Sequence, residues 1–149
     1  MKKNIHVIHY GMPSVQAVWR FWDYGTHELN LFDAWYSSQS EEARDQIDGI
    51  LKNCCNVADH QQWLSFKRFL KGKYAACKIW EMRFKSDKRE YRILGIFGTK
   101  RKECILLMGC YHKGSNYTPA AALDIAFDRA KNFKLGIGEL RERKIRTDL

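Results

Sequence analysis

The chain has 149 residues, 45% of them hydrophobic and 13% aromatic, with 26 Lys/Arg against 17 Asp/Glu and five cysteines. That length suits a single domain, 1–149, and no stretch approaches the roughly 18 consecutive apolar residues of a membrane helix. Lys2-Lys3 has no apolar run behind it, which argues against a secretory leader and for a cytoplasmic protein.

The cysteines are odd in number and form no CxxC pair. Zinc and a disulfide framework are therefore not expected, and reduced thiols in a cytoplasm are the simpler reading. The adjacent Cys54-Cys55 is the one redox candidate. Charge is unevenly placed: residues 1–74 carry 9 Lys/Arg against 8 Asp/Glu, residues 75–149 carry 17 against 9. A basic second half suits a polyanionic partner, although charge alone names no function.

In chain order, Ile5–Tyr10 alternates weakly as a short strand and Gly11-Met-Pro13 breaks it. Val15–Tyr24 is β-branched and aromatic, predicting a strand that stops at Gly25. Leu29, Phe32 and Tyr36 recur at helical spacing to about Ser37. Ser38-Gln-Ser-Glu41 fits a capping box for the next helix, whose stripe is Ala43, Ile47, Ile50, Leu51 and Cys54. Asn53–Lys73 resists assignment, with Trp63, Phe66 and Phe69 at helix-like spacing.

From Ile79 the pattern turns to strands. Trp80, Met82 and Phe84 alternate with Glu81, Arg83 and Lys85; Glu90–Phe97 and the apolar Cys104–Tyr111 follow after short turns. These predict a three-stranded antiparallel meander with its last strand buried on both faces. Thr118-Pro119 reads as N-cap and first residue of a final helix carrying Leu123, Ala126, Phe127 and Ala130 and stopping at Gly136. The charged Leu140–Leu149 reads as a short helical extension or a frayed tail.

Ile79-Trp-Glu-Met-Arg83, Tyr91-Arg-Ile-Leu94, and Tyr111-His-Lys113 followed by Thr118-Pro119 resemble the HigB branch of the RelE superfamily of bacterial toxins and its phage-derived relatives. Order and spacing agree from about Trp80 to Phe133, while Phe32–Cys54 fits that family's earlier helices more loosely. Each motif alone is weak, and the ordered set is fairly specific. The chain departs from the branch at Tyr117, usually Lys, in an N-terminal extension over 1–14, and in a basic C-terminal tail over 135–149.

The resemblance implies an α+β, RelE-like fold: N-terminal strand and helices, antiparallel meander sheet, C-terminal helix. It implies the toxin of a type II toxin–antitoxin system, a ribosome-dependent endoribonuclease that cuts messenger RNA without metal or cofactor. Its partners would be the ribosome, messenger RNA and a helix-turn-helix antitoxin, with no membrane. The alternative is a non-catalytic protein of the RelE/ParE kind that binds a target protein or RNA.

In such cleavage the 2′-OH attacks the adjacent phosphorus and the 5′-oxygen leaves, so the site must move protons and stabilise charge on phosphorus. Arg83 and Arg92 suit the second task, each on the polar face of its strand and so removable without unfolding the protein. Lys113 and His112 are the other catalytic candidates. Alternation sends these two to opposite faces if the strand continues, and the family motif favours Lys113. Tyr111 and Tyr117 are candidates for stacking on bases, Lys85 for phosphate contact, and Glu81 for orienting Arg83. Scattered histidines and the absence of HExxH give metal catalysis no support.

Overall fold

The computed structural model describes residues 18–145 and the backbone of residues 6–8. Among the described residues eight strands join one sheet: β1 (His6–Ile8), β2 (Arg20–Gly25), β3 (Phe66–Phe69), β4 (Trp80–Ser86), β5 (Arg89–Phe97), β6 (Glu103–Lys113), β7 (Asn116–Thr118) and β8 (Glu139–Glu142). The order is β1-β8-β2-β6-β5-β4-β3, with β7 paired onto β6. Three α-helices, α1 (Leu31–Ser37), α2 (Glu41–Cys55) and α3 (Ala122–Lys134), cover it.

This corrects the expected RelE-like layout. The class remains α+β, but the sheet is mixed and larger than an antiparallel meander: β2 runs parallel to β6, and β1 parallel to β8. The antiparallel run β4–β5–β6 is only its middle. Of the additional strands, β1 and β8 come from segments read as extension and tail. Glu139–Glu142 is neither helical nor frayed, because β8 pairs with β2 and is pinned by its own charges. Glu142 Oε2 accepts from Arg20 Nε at 3.0 Å and Nη2 at 2.9 Å. Just beyond, Arg143 Nη1 lies 2.8 Å from Asp23 Oδ2 and 2.7 Å from Asp33 Oδ1, and burial closes it off from water. Residues 9–17 and 146–149, with the Gly11-Met-Pro13 break, lie outside the described residues.

Local chemistry sets the helix ends. Asn30 Oδ1 accepts from the Asp33 amide and opens α1. The cap of α2 is Ser40, whose Oγ accepts from the Ala43 amide at 3.1 Å. Ser38, expected in that role, instead donates to Trp35 O at 2.6 Å, because α1 ends beside it with open carbonyls. Thr118 does not cap α3 either. It belongs to β7 and pairs with Tyr111, so the helix starts only at Ala122. Gly136, at φ +76°, does end α3: the Ile137 and Gly136 amides return to the carbonyls of Asn132 and Phe133.

The segment that resisted assignment holds edge strand β3. A bulge between Phe66 and Arg68 lets residues three apart, Phe66 and Phe69, face Met82 and Trp80 on one side. That irregularity gave a strand the spacing of a helix.

Each sheet face has its own core. Phe32, Ile47, Leu51, Trp80, Met82 and Ile93 pack beneath α1 and α2. Leu94, Ile96, Leu107, Ala126, Ala130 and Phe133 pack beneath α3. The five cysteines are free and buried. Burial pushes the Cys54 thiol up to about 12 and Cys55 to about 11, so the adjacent pair packs as thiols and offers no thiolate for redox exchange.

Candidate functional site

On the α3 side of the sheet, the corner formed by β3, β4, β5 and the end of β6 is polar. Facing residues of a ladder share a face, and so do residues two apart on a strand. The register Arg68↔Glu81, Arg83↔Arg92, Lys85↔Glu90 and Glu90↔His112 therefore collects these side chains on one surface.

Glu81 organises the corner. It is 0% exposed, yet three guanidiniums converge on it. Its Oε1 accepts from Arg68 Nε at 3.0 Å and from Arg83 Nη2 at 3.2 Å. Its Oε2 lies 3.1 Å from Arg92 Nη1. The contact to Arg92 is an ion pair without hydrogen-bond alignment, since Oε2 has no hydrogen-bond partner. One carboxylate thus holds three arginines and leaves the corner positive. Access differs among them: the side chains of Arg68 and Arg83 are 49% and 28% exposed, whereas Arg92 is 6% exposed as a residue.

The cover over Arg92 is Tyr117, whose ring centroid lies 5.0 Å from the guanidinium carbon. The same ring meets His112 edge-on at 5.3 Å. His112 Nδ1 is 2.9 Å from Gly114 O, so Nδ1 carries a proton by this hydrogen-bond assignment. Nε2 is buried and has no hydrogen-bond partner. Arg83 Nε and Arg92 Nε are likewise unpartnered. Beneath them, burial pushes the thiol of Cys110, opposite Arg92, up to about 12.

The sequence-predicted residues therefore divide. Glu81, Arg83, Arg92, His112 and Tyr117 come together, and exposed Lys85 stands at the rim, 3.9 Å from Glu90 Oε1. Lys113 does not join them. Strand β6 continues to Lys113, so alternation turns this side chain to the opposite face, where Tyr111 packs against Tyr91 and beneath Arg89. Geometry reverses the preference for Lys113 over His112. Arg68 escaped the sequence reading because the bulge hid its strand; the basic pair between aromatics in Phe66-Lys-Arg-Phe69 was the available signal.

Among the described residues, no three His, Cys, Asp or Glu side chains gather as a metal site requires, and no helix is long and apolar enough to cross a membrane.

The polar corner lies wholly inside residues 34–131, which match the family model described as Phage derived protein Gp49-like (DUF891). The match spans well over half of the chain, so the protein belongs to this phage-derived family, one related to RelE/HigB-type toxins. No curated protein and no solved structure matches the chain. Strands β1, β2 and β8 lie outside the matched span.

Proposed function

We propose that the protein is the toxin of a type II toxin–antitoxin system and cuts messenger RNA on the ribosome. The observation that carries this reading is the set of three guanidiniums held by buried Glu81 on the same face as His112, whose Nε2 is buried without a hydrogen-bond partner. Phosphoryl transfer needs fixed positive charge at the phosphate and a group that moves a proton. In the step, a bond forms from the 2′-oxygen to phosphorus and the bond from phosphorus to the 5′-oxygen breaks. His112 Nε2, buried at rest, takes the 2′-hydroxyl proton once the corner opens. The proton required by the leaving 5′-oxygen comes from solvent or from a ribosomal group.

Arg83, directed by Glu81, donates to the non-bridging oxygens, and Arg92 joins it once Tyr117 swings off its guanidinium. No metal or cofactor enters the scheme. A small open sheet does little to align a flexible strand, and that alignment is the part assigned to the ribosome. A helix-turn-helix antitoxin is the proposed protein partner.

One observation favours a second reading, a non-catalytic protein of the RelE/ParE kind that binds a target protein or RNA. Tyr117 closes Arg92 from solvent, and a binding surface would have no need to open it. Inducible expression with mapping of messenger-RNA 5′ ends separates the two. New ends confined to translated regions support the nuclease; growth arrest with unchanged transcripts supports the binder.

A further inference from the structure

Arg68 is the member of the corner with the most free donor capacity. Among the described residues, its Nε–H to Glu81 is the only donor in use, and the side chain is 49% exposed. The pairing also fixes its position, since a half-exposed arginine would otherwise sample many rotamers. Arg83 and Arg92 already pair with the Glu81 carboxylate, so a third, half-exposed guanidinium is more than neutralising that buried charge requires.

The ladder gives Arg68 a direction relative to the others. His112 on β6, Arg92 on β5, Arg83 on β4 and Arg68 on β3 place one cationic or proton-bearing side chain on each of four successive strands. Adjacent strands lie about 4.8 Å apart, so the four backbones span roughly 14 Å, while the guanidiniums themselves converge on Glu81, with Arg68 on the side of the sheet edge. The row ends at β3, the edge of the sheet, where Lys67 is also exposed.

We infer that Arg68 binds the phosphate next to the scissile one, so that single-stranded RNA crosses this face diagonally and leaves over the β3 edge. This inference rests on the nuclease reading and adds the path of the substrate. Arg83 and Arg92 serve the reacting phosphate, while Arg68 serves its neighbour and contributes chiefly to binding.

The test is single-turnover cleavage on ribosomes programmed with a defined messenger RNA, using wild type, Arg68→Ala and Arg68→Lys. Loss of one charge-assisted phosphate contact raises KM by about 10- to 100-fold, with a smaller change in kcat, and lysine restores part of the loss. Replacing single linkages beside the cleavage site with neutral methylphosphonates locates the contact. One such linkage should weaken wild type as much as Arg68→Ala does, and should weaken Arg68→Ala no further.

An unchanged KM in Arg68→Ala would overturn the inference and leave the nuclease reading standing. So would a loss confined to kcat that lysine does not repair, the mark of an arginine that merely holds Glu81. Additive losses with every neutral linkage would overturn it as well. Failure of wild type to cut under these conditions would remove the nuclease reading and this inference together.

Discussion

Arg83 and Arg92 stand directly opposite one another in the β4–β5 ladder, and both reach the carboxylate of Glu81. Like charges in facing positions repel. The arrangement holds because Glu81, wholly buried, supplies the missing charge from below. A catalytic reading and a stability reading of this pair therefore make different demands on each residue.

Removing the charge of Glu81 leaves the guanidiniums uncompensated at a buried position. Glu81→Gln should destabilise the fold by about 3 kcal/mol in urea melts. Adding Arg92→Met should recover part of that loss. Full stability of Glu81→Gln would show that the carboxylate is not what holds the arginines together.

The two arginines should separate experimentally. Arg83 is partly exposed, so Arg83→Ala should abolish growth inhibition while changing stability by under about 1 kcal/mol. Arg92 is buried beneath Tyr117, and Arg92→Ala should lower the melting temperature as well as toxicity. This departs from the sequence expectation that either could be removed without cost to folding. Urea melts beside a growth assay check both claims; undiminished toxicity in Arg83→Ala would remove that arginine from the site.

At the end of β6, His112→Gln should slow cutting by roughly 10²- to 10⁴-fold if Nε2 handles the proton. Lys113→Ala, altering the far face, should be mild. A severe Lys113→Ala defect with an active His112→Gln protein would return the role to the lysine.

Packing gives a test that is independent of function. A Cβ at Gly109 would sit 2.1 Å from the Trp35 ring, which lies flush on β6. Gly109→Ala should cost about 1–3 kcal/mol, read as a lower urea midpoint, because the ring and helix α1 must move together. A neutral substitution would mean that Trp35 relocates freely.

His27 predicts a pH dependence of stability. Its imidazole Nδ1 donates to Glu139 Oε1 at 2.8 Å, and that hydrogen bond, aided by the nearby negative charge, raises its pKa above 6.5. A raised folded-state pKa gives stability that is complete below about pH 6.5 and lost as pH rises through the folded value. Melting temperatures at about pH 5.5 and pH 8.5 should therefore converge in His27→Gln relative to wild type. An identical pH dependence in both proteins would contradict the pairing.

The sheet corner was legible wherever alternation was unbroken. Trp80-Glu-Met-Arg83 places Glu81 and Arg83 on one face from spacing alone, Tyr91-Arg-Ile-Leu94 puts Arg92 on the polar face of the next strand, and the register joins them; the same alternation separates His112 from Lys113. Three things were hidden. A bulge disguised β3 and with it Arg68. Strand β8 carries charges at Glu139, Arg141 and Glu142 that look solvated in sequence but find partners on β2 and in the loop after it. The cap of α3 was misplaced because pairing between β6 and β7 claims Thr118, a contact no local pattern announces.

The central claim is that the corner performs metal-free cleavage of translated RNA. Its most direct test incubates purified protein with messenger RNA, with and without translating ribosomes, in the presence of a chelator, and identifies the new 3′ ends. The account predicts cuts only with translating ribosomes, leaving a 2′,3′-cyclic phosphate or its 3′-phosphate hydrolysis product, and none with Arg83→Ala. Intact RNA, or cuts that leave a 3′-hydroxyl, would contradict it.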